Sequence, residues 1–311
     1  MGKNESEVAE NSVSVEWVWF SVFGEQVFSW SVNYRLNIEK TIINPKSTIF
    51  QFFALPNMMD LNFKTFGSGP PVIILHGLFG TLDNWQTVAR QLSENFTVFI
   101  LDLRNHGRSP HAPQHDYPAM AEDLRAFMEH HWMYKAHIIG HSMGGKAAMY
   151  FALHHPDWVE KLVVVDIAPK KYPRGHDIIL KALLSVDLDQ ARERSDVETT
   201  LSTYIDDPGV RLFLMKNLSR KPEGGFEWKM NLPVLNDQYE NILVEMTTDA
   251  PFENPALFVR GERSDYVLEE DLPLIKKLFP SATLVTVPDA GHWVHAEQPA
   301  VLLKILHGFF Q

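Results

Sequence analysis

From about residue 70 to the C-terminus, short apolar, β-branched runs alternate with stretches of helical character. No other feature restricts the fold of this 311-residue chain so tightly. Pro71 to Leu75, Phe96 to Leu103, Ala136 to Ile139, Val159 to Ile167, Ala256 to Arg260 and Ala282 to Val287 read as strands. Helix candidates fall between them, around Trp85 to Leu92, Ala119 to His131, Gly145 to His154, Glu269 to Leu278 and Pro299 to Phe310. That rhythm implies βαβ units and a parallel sheet. Because the strand runs are apolar almost without interruption, helices must cover both faces of the sheet.

The alternation pauses between about Lys170 and Glu253, where helical patches are separated by Pro173, Pro208, Gly209, Pro222 and the Gly224-Gly225 pair. We read about 170–253 as a mostly helical cap inserted between two core strands, over the carboxyl edge of the sheet, where open α/β folds bind ligands. Residues 1–57 differ in character, mixing aromatic and polar residues without clean helical or strand periodicity. Met58-Met59 opens a stretch that reads as strand, tight Gly turn and strand. We therefore expect an N-terminal extension over 1–57 and a single domain over 58–311.

Composition narrows the chemistry. With 28 Lys+Arg against 39 Asp+Glu, the net charge of -11 opposes a phosphate backbone, so nucleic acid is not an expected partner. The chain has no Cys, which removes thiolate metal sites, disulfides and a cysteine nucleophile together. No H-E-x-x-H or P-loop occurs, and the Gly67-Ser68-Gly69 turn lacks the helix a dinucleotide site needs, so no metal or nucleotide cofactor is expected. No apolar run is long enough for a membrane span, and the acidic first residues resemble no targeting leader; the expectation is a cytoplasmic protein.

Gly140-His141-Ser142-Met143-Gly144 fits G-x-S-x-G directly after one strand and before one helix, the context in which the pattern has mechanical meaning. A turn tight enough to expose the serine forces strained backbone at that residue and requires small residues two positions to either side. With 17 Gly in the chain, the pattern should arise by chance about 0.05 times, before its flanks are considered. A serine hydroxyl needs a base, and Ala290-Gly291-His292-Trp293, after the last strand, offers His292, with His295 the near rival. The acid that orients the imidazole is Asp166, at the end of LVVVD, or Asp265, in the turn after ALFVR. A carboxylate ending a buried apolar strand needs a partner, which favours Asp166. Acyl transfer also requires amides aimed at an oxyanion; Met143 N–H follows the nucleophile, and His76-Gly77-Leu78 points to Leu78 N–H as the second.

The stretches LHGLFGTLDNW, DLRNHGRS, YPAMAED, GHSMGGK, DIAP and AGHWVHAE, in this order from about residue 59 onward, resemble the α/β-hydrolase superfamily, in particular its bacterial short-chain esterase and acyl-thioesterase branch and the mitochondrial eukaryotic relatives of that branch. The resemblance implies an α/β-hydrolase fold with a mostly parallel eight-stranded sheet and a helical cap inserted after the sixth strand. It also implies cofactor-free hydrolysis of carboxylic esters and acyl-thioesters, and it favours Asp166 as the acid. Arg104, Arg108, Lys146, Lys170, Lys171 and Arg174 flank strand ends, where they could gather at the mouth and attract an anionic substrate such as a CoA ester. The same triad also serves carbon–carbon bond hydrolases, lyases and ligand sensors, and turnover on simple esters separates these readings.

Overall fold

In a computed structural model, residues 59–311 are described in full, together with the backbone of 12–23 and 26–37. Seven strands form the main sheet: β1 (Phe63–Phe66), β2 (Pro71–Leu75), β3 (Thr97–Leu101), β4 (Ala136–His141), β5 (Val159–Val165), β6 (Ala256–Gly261) and β7 (Ala282–Val287). They lie in the order β7-β6-β5-β4-β2-β3-β1, and every pairing is parallel except that of β1 with β3. Alternate residues feed two cores. Ile73, Leu75, Ile138, Leu162 and Phe258 enter one, and Val72, Ile74, Ile139, Val163 and Val259 the other, as the two-residue period of a strand dictates. Both faces are covered by helices, including α1 (Gln86–Leu92), α2 (Tyr117–His130) and α3 (Met143–His154).

The expectation of eight strands is corrected to seven among the described residues. Upstream of β1, Asn62 gives its N–H to Ser109 Oγ (2.9 Å) and its side-chain amide to Asp102 (2.6 Å), and its carbonyl accepts from Asp102 N–H (2.8 Å). The insertion accordingly follows the fifth strand of this sheet, not the sixth. Between β5 and β6 it carries α4 (Asp177–Leu184), α5 (Arg194–Ser202), α6 (Pro208–Met215) and α7 (Leu232–Asp237), plus a short antiparallel ribbon pairing Leu218–Arg220 with Phe226–Trp228. The remaining helices, α8 (Leu272–Leu278), α9 (Val294–Glu297) and α10 (Pro299–Phe310), return the chain to the sheet.

Residues Ser12–Phe23 and Gln26–Asn37 pair as an antiparallel hairpin, where the sequence showed no clean period. The chain divides into two compact units, Met1–Leu55 and Pro56–Gln311. Among the described residues no helix is long and apolar enough to cross a membrane.

Candidate active site

Strand order locates the site. The chain leaves β2 for β3 on one side and then returns to β4 on the other, so β2 and β4 are neighbours whose following loops part at the carboxyl edge. Leu75 pairs with Gly140, which brings His76-Gly77-Leu78 beside the turn that carries Ser142. Ser142 has φ 53° and ψ -121°, a strained conformation for a residue with a side chain. The glycines around it are obligatory for close packing: a Cβ on Gly140 would lie 2.2 Å from Gly144 O, and one on Gly144 2.4 Å from His76 O. A Cβ on Gly77 would meet Ser142 Cβ at 3.1 Å, a measure of how tightly the two loops approach.

His292 Nε2 lies 3.0 Å from Ser142 Oγ, and His292 Nδ1 lies 2.8 Å from Asp166 Oδ2. Of the two carboxylates left open by the sequence, Asp166 is therefore the one in this chain of hydrogen bonds. It is fully buried at φ 53° and accepts further hydrogen bonds from Gly261 N–H (2.9 Å) and Ser264 Oγ. Its own N–H is held by Val259 O at 2.7 Å, which fixes the residue against β6. Asp265 is exposed and stands at the rim of the cleft. His295 is buried elsewhere, stacked on Trp85 with 4.5 Å between centroids, and burial pushes its pKa down to about 3.

The imidazole of His292 is held from several sides. His141 Nε2 contacts the His292 carbonyl at 2.9 Å, Glu297 accepts from the amides of Gly291 and Trp293, and the Tyr266 ring stacks on His292 at 3.9 Å. Sequence reasoning did not single out Tyr266, although its position one residue after Asp265 placed it in a loop already under scrutiny.

Leu78 and Met143 both line the cleft with Ser142. The loop that carries Leu78 is pinned by groups distant in sequence. His106 Nε2 accepts from Phe79 N–H at 3.2 Å, and the buried Asn217, from the insertion, donates to Phe79 O at 2.7 Å. His76 Nε2 accepts from Leu103 N–H at 3.0 Å while Nδ1 donates to Gly77 O at 2.8 Å. Burial lowers the pKa values of His76 and His106 to about 4 and 3, keeping both rings neutral and in the tautomers these bonds require. The DLRNHGRS stretch is an anchor for the same region: Asp102 accepts from Leu82 N–H (2.7 Å) and Arg108 N–H (2.9 Å), and Gly107, at φ 58°, leaves no room for a side chain beside it.

The cleft has two lobes that meet at Ser142. One, of about 310 Å³, is lined by Tyr117, Met143, Lys146, Tyr172 and Leu243 among others; the second, of about 240 Å³, by Trp85, Phe213, His292 and Trp293. Of the six basic residues expected at the mouth, Lys146, Lys170 and Lys171 line the first lobe, whereas Arg104, Arg108 and Arg174 do not. Arg104 makes a buried bidentate pair with Asp123, Lys170 pairs with Asp271 at 2.7 Å, and Arg174 pairs with Asp177 and Glu240. Lys146 is buried, Arg108 faces a separate depression, and Lys171 alone of the six stands exposed at the rim. Carboxylates supplied by the protein itself neutralise Arg104, Lys170 and Arg174.

A serine, an imidazole and a carboxylate bonded in series beside two loop amides can activate a hydroxyl for attack on an acyl carbon. Comparison with known proteins agrees with the architecture. The chain is 40% identical over 240 residues to Esterase YbfF of Escherichia coli, covering 77% of this chain and 92% of that one. It is 37% identical over 250 residues to the mouse sn-1-specific diacylglycerol lipase ABHD11, covering 77% and 80%. A solved structure described as a marine microorganism esterase superposes with a TM-score of 0.80 at 47% identity, over 81% of this chain and 99% of its own. The family model for the alpha/beta hydrolase fold matches residues 70–299, and with this sheet order, elbow and cleft the chain belongs to the α/β-hydrolase family.

Proposed function

We propose that this chain is a serine hydrolase that cleaves carboxylic ester or acyl-thioester bonds of small acyl substrates through an acyl-enzyme. The observation that carries the reading is the unbroken series Ser142 Oγ, His292 and Asp166, at 3.0 and 2.8 Å. Ser142 attacks the acyl carbon as His292 Nε2 takes its proton, and Asp166 holds the imidazole in the tautomer that leaves Nε2 free to accept. The amides of Leu78 and Met143 receive the charge that develops on the carbonyl oxygen. His292 then protonates the leaving alcohol or thiol, and water resolves the acyl-enzyme by the same route in reverse. The esterase and lipase names of the similar proteins support ester bonds as the target.

The two lobes acquire roles from this chemistry. The leaving group must lie where His292 can protonate it, so it occupies the lobe lined by His292, Trp85, Phe213 and Trp293. The acyl chain takes the other, lined by Tyr117, Ile167, Ile242 and Leu243, beneath the helical cap formed by the insertion. The test is hydrolysis of p-nitrophenyl esters from acetate to palmitate, with acyl-CoA substrates in parallel and Ser142→Ala as control. We expect turnover that Ser142→Ala lowers by at least about 10⁴-fold. Absence of Ser142-dependent turnover on every substrate would overturn the reading and favour a ligand sensor.

A further inference from the structure

The acyl lobe contains one feature that ester cleavage does not use. Lys146, four residues beyond Ser142 on α3, is 2% exposed and lines the same lobe as Ser142 and Met143. Its Nζ donates to Lys170 O at 2.7 Å and to Val244 O, the two legs of the insertion. Those bonds use two of three ammonium protons. The Tyr172 ring also presents its face to Nζ, with the centroid 4.9 Å away. Among the described residues no carboxylate is within ion-pair distance of it, although other buried or half-buried cations, Arg104 and Lys170, each have one. A buried charge without a counter-ion is costly, and the group either gives up its proton or takes a partner of opposite sign.

Resting on the proposed acyl transfer, we propose that Lys146 is a specificity-determining residue that receives an anionic group at the far end of the acyl chain, so that the preferred substrates are monoesters or monothioesters of short dicarboxylic acids. Three observations converge on this. The lysine shares the lobe assigned to the acyl group; the rest of that lobe is largely apolar, with tyrosines whose hydroxyls are partly committed, Tyr117 to Ile242 O and Tyr172 to Tyr266 O; and the unmatched charge is positive. Burial lowers the Lys146 pKa to about 7, with Glu245 acting in the other direction, and an arriving carboxylate would favour the charged ammonium. Asp265, also on the lobe, stands exposed at the rim, whereas Lys146 is buried within.

The experiment compares monoethyl succinate, glutarate and adipate with neutral ethyl esters of matched length on the wild type and on Lys146→Met. We expect wild-type kcat/KM to favour at least one acid-terminated ester over its neutral counterpart by about tenfold or more, mainly through KM. In Lys146→Met that ratio should invert, and Lys146→Arg should retain part of it. Ser142-dependent turnover without acid preference in the wild type would overturn the proposal while leaving ester hydrolysis intact. Absence of turnover on every ester, charged or neutral, would overturn the hydrolase reading itself. Should Lys146→Met fail to fold, competitive inhibition of neutral-ester turnover by free dicarboxylates, against monocarboxylates of equal length, decides: equal inhibition contradicts the proposal.

Discussion

In the proposed mechanism Ser142 owes its role to backbone geometry as much as to its hydroxyl. Ser142 at φ 53° projects from a turn that Gly140 and Gly144 alone make possible, and this much was legible because the G-x-S-x-G spacing encodes the steric requirement itself. The sequence favours Asp166 over Asp265 without excluding the latter, since both follow strands; the 2.8 Å contact with His292 belongs to Asp166. Asp166→Asn should lower kcat by about 10³- to 10⁴-fold with little change in KM, because the imidazole loses the partner that fixes its tautomer. Measured side by side, Asp265→Asn should retain at least about 100-fold more activity than Asp166→Asn; equal losses would contradict the assignment. Tyr266 escaped detection because stacking on His292 joins residues 26 positions apart and leaves no local pattern.

At the scale of elements, the five central strands were readable because burial on both faces of a parallel sheet demands apolar residues at every position. The ribbon within the insertion was not, since three-residue strands at Leu218–Arg220 and Phe226–Trp228 are too short for a period to show. Nor could sequence reveal the bracing of the loop that carries Leu78, which depends on His106 and Asn217 meeting Phe79 across 27 and 138 residues. Asn217→Ala leaves a buried carbonyl at Phe79 unpaired, so a loss of about 1–3 kcal/mol in stability is expected from urea denaturation. Its kcat should fall more than its KM rises, because the loop carrying the Leu78 amide loosens. Gly144→Ala drives a methyl group to 2.4 Å from His76 O, and we expect destabilisation of at least about 2 kcal/mol with loss of activity. The basic residues show the same limit of sequence reading: the acid that neutralises Lys170 lies 101 positions away, at Asp271.

The molecule as a whole carries several histidines buried in neutral form around the carboxyl edge of the sheet. Burial lowers the pKa values of His76 to about 4, His106 to about 3 and His295 to about 3, and holds His141 well below its ordinary value. In the unfolded chain each returns to about 6.5, so between about pH 6.5 and the folded values the unfolded state binds more protons. Stability therefore rises with pH through this window and is lost as pH falls below about 6.5, each such histidine contributing about 1.4 kcal/mol per pH unit. Urea midpoints should be level above pH 7 and fall progressively from pH 6.5 to pH 5. A flat profile there would contradict neutral burial.

In the proposed reaction Ser142 carries the acyl group between two half-reactions. Acid-quenching a p-nitrophenyl ester reaction in its first turnover, followed by mass spectrometry of the proteolytic peptides, tests it most directly. The acyl mass should appear on the peptide containing Ser142, formed with a burst of p-nitrophenol, and be lost in Ser142→Ala. Steady ester turnover with no acyl mass at Ser142, persisting in Ser142→Ala, would contradict it.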